Sequence, residues 1–345
     1  MKVFKILIPL LISVLLVNCA TNDLTIRVTE PAPVSVPASV NSIGILNRTQ
    51  STGNKAVKKL EEILSLELKK VDSLAAIDAA RGLESEFEHN QRFDEVVNLH
   101  PQLLKNNASN IFSPKLSPNT ISGICTKNNL DALFVLEYLD TDTEVSYKAV
   151  PVKTKVLGIE VDAVETQANV RTLVRIGWRI YDAQGTPVYD EFKVHKNVHS
   201  SGRGINPMKA IAAIAGQNDR IKTESFNMGK AYANDLMPYS RRVHRIYYVK
   251  GTNNFKVGKR LARAGSWNDA ADYWDRETDN PKGKIAGRAY YNMAIINEIN
   301  GNLAEAMDWA EKSYTLFNNK KALRYLNILK ARQARIEELK RQTEE

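Results

Sequence analysis

The stretch KVGKRLARAGSWNDAADYWDRETDN, Lys256–Asn280, and the later stretch YNMAIINEINGNLAEAMDWAEKSYTLFNN, Tyr291–Asn319, carry one pattern twice. In each, an apolar helical run reaches a glycine, a short turn follows, and a second helical run places an alanine five residues on. Gly265 precedes Ala270 and Trp274, and Gly301 precedes Ala306 and Ala310, an offset of 36 residues. Small residues let two helices cross closely, and glycine permits the tight reversal between them. The pattern predicts two helical hairpins, with the longer connection at NPKGK, residues 280–284. The segment KKALRYLNILKARQARIEELKRQ, residues 320–342, predicts one more helix, closing the stack through Leu323, Leu326, Leu329 and Ile336.

The second copy also has Tyr290, Met293 and Ala294, a large, an apolar and a small residue in turn. With the Gly/Ala spacing, this resembles the tetratricopeptide repeat, whose usual period is about 34 residues. The resemblance implies a groove that takes a peptide or a helix. Trp267, Tyr273, Tyr291 and Trp309 are the candidate partner-binding residues it offers, beside Trp274 and Tyr290. A generic helical hairpin predicts the same packing without a groove.

Upstream, strand and helix patterns alternate. VNSIGILNRTQSTGN, Val40–Asn54, reads as an apolar strand ending in a polar turn. Val57, Leu60, Ile63, Leu64 and Leu68 then share a helical face, and a second helical stretch covers 73–89. FDEVVNL reads as a strand, SPNTISGICTKNN as a short helix, and LDALFVLEYLDTDTEVSY as a long strand with a buried first half. Residues 143–199 are rich in β-favouring residues, and YDAQGTPVYDE marks a reversal at Gly185, so an antiparallel meander is predicted. NPMKAIAAIAG and KTESFNMGKAYANDLMP return to helix. RRVHRIYYVKG, Arg241–Gly251, reads as a closing strand or connector, and LTIRVTEPAPVSVPASV as an extended linker or edge strand.

The chain opens on a basic Met1–Lys5 and an apolar run Ile6–Val17, too short to span a bilayer, which ends at Leu16-Val17-Asn18-Cys19-Ala20. This resembles a bacterial lipoprotein signal, although Asn18 stands where a glycine or alanine is usual. The resemblance implies removal of residues 1–18 and a diacylglyceryl lipid on Cys19, with membrane attachment through that lipid. Asp23 lies beyond the position of an inner-membrane retention signal, so the outer membrane, on its periplasmic face, is the expected address. Cys125 then has no partner for a disulfide and reads as a buried, unreactive thiol.

The formal charge of +9 does not point to nucleic acid, because basic residues interleave with acids, as in VKKLEEILSLELKK. A mild attraction to anionic surfaces such as lipid headgroups fits better. Catalytic motifs are missing: no Ser-His-Asp spacing, no His-Glu-x-x-His and no paired-cysteine metal motif occurs. His195 and His199 sit four apart on a predicted strand, about 13 Å and too far for one metal. Asp140, Asp142 and Glu144 read as a solvated strand face, and SSGRGINP as a loop before a helix. No cofactor, no metal and no enzymatic activity are expected.

VNSIGILNRT, NNLDALFVLEY and VRIGWRIYDAQGTPVYDE resemble the α/β domain of envelope lipoproteins related to the curli secretion channel subunit and to the N-terminal domain of TolB. With MGKAYANDLMPYSRRVHRIYYVKG and AGSWNDAADYW, the whole chain resembles a Gram-negative envelope lipoprotein family of unknown function. The resulting expectation is an α+β domain, a mixed α/β sandwich with an antiparallel meander, followed by an all-α tetratricopeptide-like helical domain. Its segments are a signal peptide (1–18), a tether (19–39), the α/β domain (40–250), the helical domain (251–335) and a charged tail (336–345). The expected role is a membrane-anchored, non-catalytic scaffold that binds a protein partner. The alternative is a structural subunit of an outer-membrane export assembly, with residues 143–176 as membrane-crossing hairpins.

Overall fold

The computed structural model describes residues 20–49, 62–99, 112, 114–185, 188–215 and 219–343, with side chains of the first helix described from Asp72 onward. The chain divides into two compact units. One joins the N-terminal segment through Pro31 to residues 238–340; the other holds Ala32–Met237 and residues 341–345. Cys19 lies outside the described residues, as do Val57 and Leu60 and the side chains of Ile63, Leu64 and Leu68.

The unit of residues 32–237 is built on a five-stranded mixed sheet of order β3-β2-β4-β5-β6. Its strands are β2 (Ser42–Asn47), β3 (Glu95–Leu99), β4 (Ala132–Val156), β5 (Ile159–Asp182) and β6 (Val188–Gly204). β2 lies parallel to both β3 and β4, whereas β4, β5 and β6 form the antiparallel meander. β2 is an interior strand and its residues Ile43–Leu46 are buried, which is why it reads as an apolar run rather than an alternation. Along β4, Phe134 and Leu136 enter one core while Leu133 and Val135 enter another on the opposite face.

Helices cover both faces. α1 (Glu62–Asn90) and α4 (Asp219–Asn234) close the larger core through Ala75, Ala79, Leu83, Phe87, Met228 and Tyr232, against Ile43, Ile45, Phe134 and Trp178. α2 (Pro118–Asn128) brings Ile121 and Cys125 onto the other face, and α3 (Pro207–Ala215) packs on β5 and β6 through Ala210, Ile211 and Ile214. α1 runs unbroken through residue 72, where two helical stretches were expected; nothing in KKVDSLAA is a helix breaker. The stretch 143–176 lies within one long β4–β5 hairpin, turned at Leu157-Gly158, where both residues have positive φ.

The second unit begins with β1 (Thr21–Glu30), paired antiparallel with β7 (Tyr239–Tyr248) from Thr21 opposite Tyr248 to Glu30 opposite Tyr239. It continues as α5 (Asn253–Arg263), α6 (Trp267–Asp275), α7 (Gly283–Ile299), α8 (Leu303–Thr315) and α9 (Lys320–Thr343). Much of the expected 19–39 tether is therefore strand. The boundary expected at 250/251 falls instead at Met237/Pro238, because β7 packs its Tyr247 and Tyr248 into the helical core with Leu24 of β1. Among the described residues no helix is long and apolar enough to cross a membrane.

α1 and α4 touch at two glycines. A Cβ on Gly82 would collide with the Phe226 carbonyl, and one on Gly229 with the Ala79 carbonyl. These partners are backbone atoms that cannot step aside. Gly229→Ala gains up to about 1 kcal/mol of helix propensity but forces the helices apart, and overpacking of this kind costs about 1–3 kcal/mol. The expected outcome is a net loss of stability in urea unfolding. An increase would show that the two helices do not meet this closely.

Candidate functional site

The helical unit repeats itself at the level of single hydrogen bonds. After α5, Gly265 N–H donates to Ala262 O, Ser266 N–H to Leu261 O and Trp267 N–H to Gly265 O. After α7, Gly301 N–H donates to Glu298 O, Asn302 N–H to Asn297 O and Leu303 N–H to Gly301 O. Gly265 and Gly301 have φ of +86° and +84°, a left-handed conformation that glycine adopts without penalty. Ala270, Ala306 and Ala310 are fully buried where the hairpins close.

A buried carboxylate ties these helices to β7. Glu298, on α7, is 3% exposed. It accepts two hydrogen bonds from Arg245 of β7, at 2.7 and 2.8 Å, one from the Tyr325 hydroxyl of α9 at 2.7 Å and one from Arg332 of α9 at 2.7 Å. Burial opposes its ionisation, but the hydrogen bonds from Arg245, Tyr325 and Arg332 outweigh it and hold the carboxyl below the usual range. One helical turn and a half earlier, Asn292 completes the unpaired edge of β7. Its Oδ1 accepts from Tyr248 N–H at 2.7 Å and its Nδ2 donates to Tyr248 O at 2.8 Å.

The four aromatic residues singled out from the sequence are scattered. Tyr291 is 3% exposed, packed between Tyr248 and Tyr325, so it offers no contact surface and is corrected to a core residue. Trp267 is half-buried edge-on to Tyr247 at 5.4 Å. Trp309 is half-buried against Tyr290 at 5.0 Å, and Tyr273 lies beneath the Arg276 guanidinium at 5.0 Å. Sequence reasoning missed a recess of about 310 Å³ lined by Tyr248, Lys284, Gly287, Arg288, Phe317 and Lys321, among others. Arg288 and Lys321 stand over the Tyr248 ring, whose hydroxyl donates to Asn319 at 3.1 Å. Its cations lie on different helices, so only the density of lysine in 282–288 and 320–321 hinted at it.

The remaining candidates belong to the other unit. Asp140 and Glu144 pair across the strands with Arg175 and Arg171, at 2.8 and 2.6 Å, on a strand face where Asp142 and Glu144 are exposed. His195 and His199 lie on β6 opposite those same arginines. Gly202 and Gly204 are the end of β6, not a loop. Cys125 is 2% exposed, and burial, with the charges of Asp182 and Asp131, pushes its thiol up to about 11. Among the described residues no group of three or more His, Cys, Asp or Glu is placed to hold a metal ion. Glu137 sits at an irregularity in β4 and is taken up by Arg48 at 2.8 Å and the Tyr181 hydroxyl at 2.6 Å.

Residues 40–248, from just before β2 to the last residue of β7, match the family model described as domain of unknown function (DUF8603). The chain belongs to the DUF8603 family. Residues 256–331 match a second model, domain of unknown function (DUF6340), which takes in the repeated hairpins. No curated protein matches the chain. Among solved structures, the PelC dodecamer from Paraburkholderia phytofirmans is 9% identical over 62% of this chain and 97% of its own, with a TM-score of 0.24. A neuraminyllactose-binding hemagglutinin homolog from Helicobacter pylori is 9% identical over 59% of this chain and 91% of its own, with a TM-score of 0.21.

Glu298→Gln leaves Arg245 buried without its counter-charge. Breaking a buried pair on one side costs about 3–5 kcal/mol. Because the folded carboxyl titrates below its ordinary value, its contribution is complete above that value and is lost as pH falls through the folded pKa. The variant is expected to lose stability of this size at neutral pH in urea unfolding, with the gap to the parent narrowing below about pH 4. A neutral-pH loss under about 1 kcal/mol would contradict the role given to this network.

Proposed function

We propose that the protein is a lipid-anchored envelope scaffold. Its helical unit is a tetratricopeptide-like surface for a protein partner, and Cys19 carries the lipid at the periplasmic face of the outer membrane. The observation that carries the partner-binding half is the pair of hairpins with matching turn hydrogen bonds at Gly265 and Gly301. Two-helix units stacked in this way bury one face and leave another for recognition. The recess at Tyr248, Lys284, Arg288, Phe317 and Lys321 combines an aromatic floor with a cationic rim, and so suits a partner segment bearing a carboxylate beside an apolar side chain.

No reaction is assigned. The charged groups that the fold brings together, Glu298 with Arg245 and Arg332, and Glu137 with Arg48, are buried ion pairs that join elements of structure. The anchor rests on the sequence Leu16-Val17-Asn18-Cys19 and on the short apolar run before it. More than one acyl chain makes such an attachment stable, at about 0.8 kcal/mol for each buried CH₂.

Two measurements test this reading. Cells fed labelled palmitate are expected to label the parent protein and not Cys19→Ala, which also leaves the membrane fraction; label on the variant, or its continued membrane residence, removes the anchor. A photo-crosslinking residue placed at Lys321 is expected to capture a defined partner in intact cells, while the same residue at Lys148 on the β4–β5 hairpin does not. Equal yields from the two positions, or none from Lys321, would remove the helical unit as the partner surface.

A further inference from the structure

The net positive charge of the chain is concentrated in the helical unit. Residues 238–340 hold 20 Lys and Arg against 11 Asp and Glu, whereas the whole chain holds 48 against 39. Within that unit one helix sorts its charges by face. On α5, Phe255, Gly258 and Ala262 are buried, and Lys256, Lys259, Arg260 and Arg263 recur at the three- and four-residue spacing that places them on one side. With Val249, Lys250 and Gly251 they line a concavity of about 580 Å³ that has five cations and no acid in its wall. Lys256, Lys259, Arg260 and Arg263 form no ion pair among the described residues. Glu277, a buried carboxylate just after α6, is taken up by Thr252 and Asn254 at the start of α5 and by Asn280, at 2.6–2.8 Å.

The same concavity adjoins the start of the mature chain. Val249, one of its lining residues, donates its N–H to Ala20 O at 3.0 Å, and Thr21 pairs with Tyr248. One peptide link joins Ala20 to Cys19. The β1–β7 ribbon thus holds Ala20 beside the basic recess within a single unit.

We propose that this recess is a second membrane contact, in which Lys250, Lys256, Lys259, Arg260 and Arg263 engage the phosphates of anionic lipid headgroups in the bilayer that the Cys19 lipid enters. The proposal rests on the lipoprotein reading for the position of the bilayer, and on the recess alone for its chemistry. Each basic residue held near an anionic leaflet raises partitioning by roughly fivefold. The attraction is screened within about 10 Å at ordinary salt, so only residues set beside the attachment point profit from it. A membrane is favoured over a protein partner because the wall offers five cations with no carboxylate or aromatic ring to select among polypeptides.

The test uses the mature chain from residue 19 with Cys19→Ala, which carries no lipid and lacks the apolar run Ile6–Val17 that would itself partition. Co-sedimentation is measured with phosphatidylcholine vesicles and with vesicles of phosphatidylcholine mixed with phosphatidylglycerol. The protein is expected to bind the mixed vesicles, to ignore the neutral ones and to release as salt is raised. Lys256→Glu, Lys259→Glu and Arg263→Glu together are expected to lower binding at least tenfold; the corresponding glutamine variant is expected to lose less, and Lys148→Glu with Lys153→Glu to leave binding within about threefold. Circular dichroism matching the parent shows that these variants fold. Unchanged binding by the folded glutamate variant overturns the proposal, as does equal binding to neutral vesicles. Displacement by inorganic phosphate at matched ionic strength also overturns it, in favour of a free-anion site. An unmodified Cys19 in the native protein would remove the anchor without altering the vesicle result, so the two readings fail separately.

Discussion

The buried carboxylate of Glu298 joins β7, α7 and α9 of the helical unit. Glu298 is on the buried side of α7, and a charge there is tolerable only because Arg245, Tyr325 and Arg332 converge on it. Those donors come from β7 and α9, so the requirement to satisfy one side chain sets where a strand and the last helix meet the repeated hairpins. β7 in turn sets the register of β1. The polypeptide just after Cys19 is therefore not a free leash but the outer strand of a two-stranded ribbon whose inner strand is held by Glu298 and Asn292.

This arrangement bears on function because it gathers three features into one unit. Ala20 leads directly into β1, the repeated hairpins carry a recess between Tyr248 and Phe317, and α5 turns its basic side toward Val249, which pairs with Ala20. The sheet unit has a different electrostatic character. Along the meander, arginines pair with carboxylates across strands, Arg175 with Asp140 and Arg179 with Glu191, which ties the strands together and leaves less net charge for recognition.

The hairpins were legible in the sequence because Gly265 and Gly301 each occupy a backbone conformation that few other residues accept, and the alanines that follow must fit between helices. The interior strand β2 and the meander were legible through the apolar run of β2 and the β-branched density of β4 to β6. The β1–β7 pairing was not: its partners are more than two hundred residues apart, and the prolines that follow Glu30 favoured a linker reading. Pro31 and Pro33 in fact mark the end of the strand, where a missing N–H costs nothing. Tyr291 was misassigned because an aromatic residue on a repeat helix looks the same in sequence whether it faces the core or the groove. Glu298 passed unnoticed for a related reason, since its partners lie on other elements and a lone acid in a helix normally points to water.

The proposed membrane anchor requires that Cys19 be the lipidated first residue of the mature protein. Mass spectrometry of the N-terminal peptide purified from membranes tests it most directly. A lipoprotein yields a peptide beginning at Cys19 with an acylated amino group and a diacylglyceryl thioether. A peptide that runs through Asn18 and Cys19 with an unmodified thiol would contradict it.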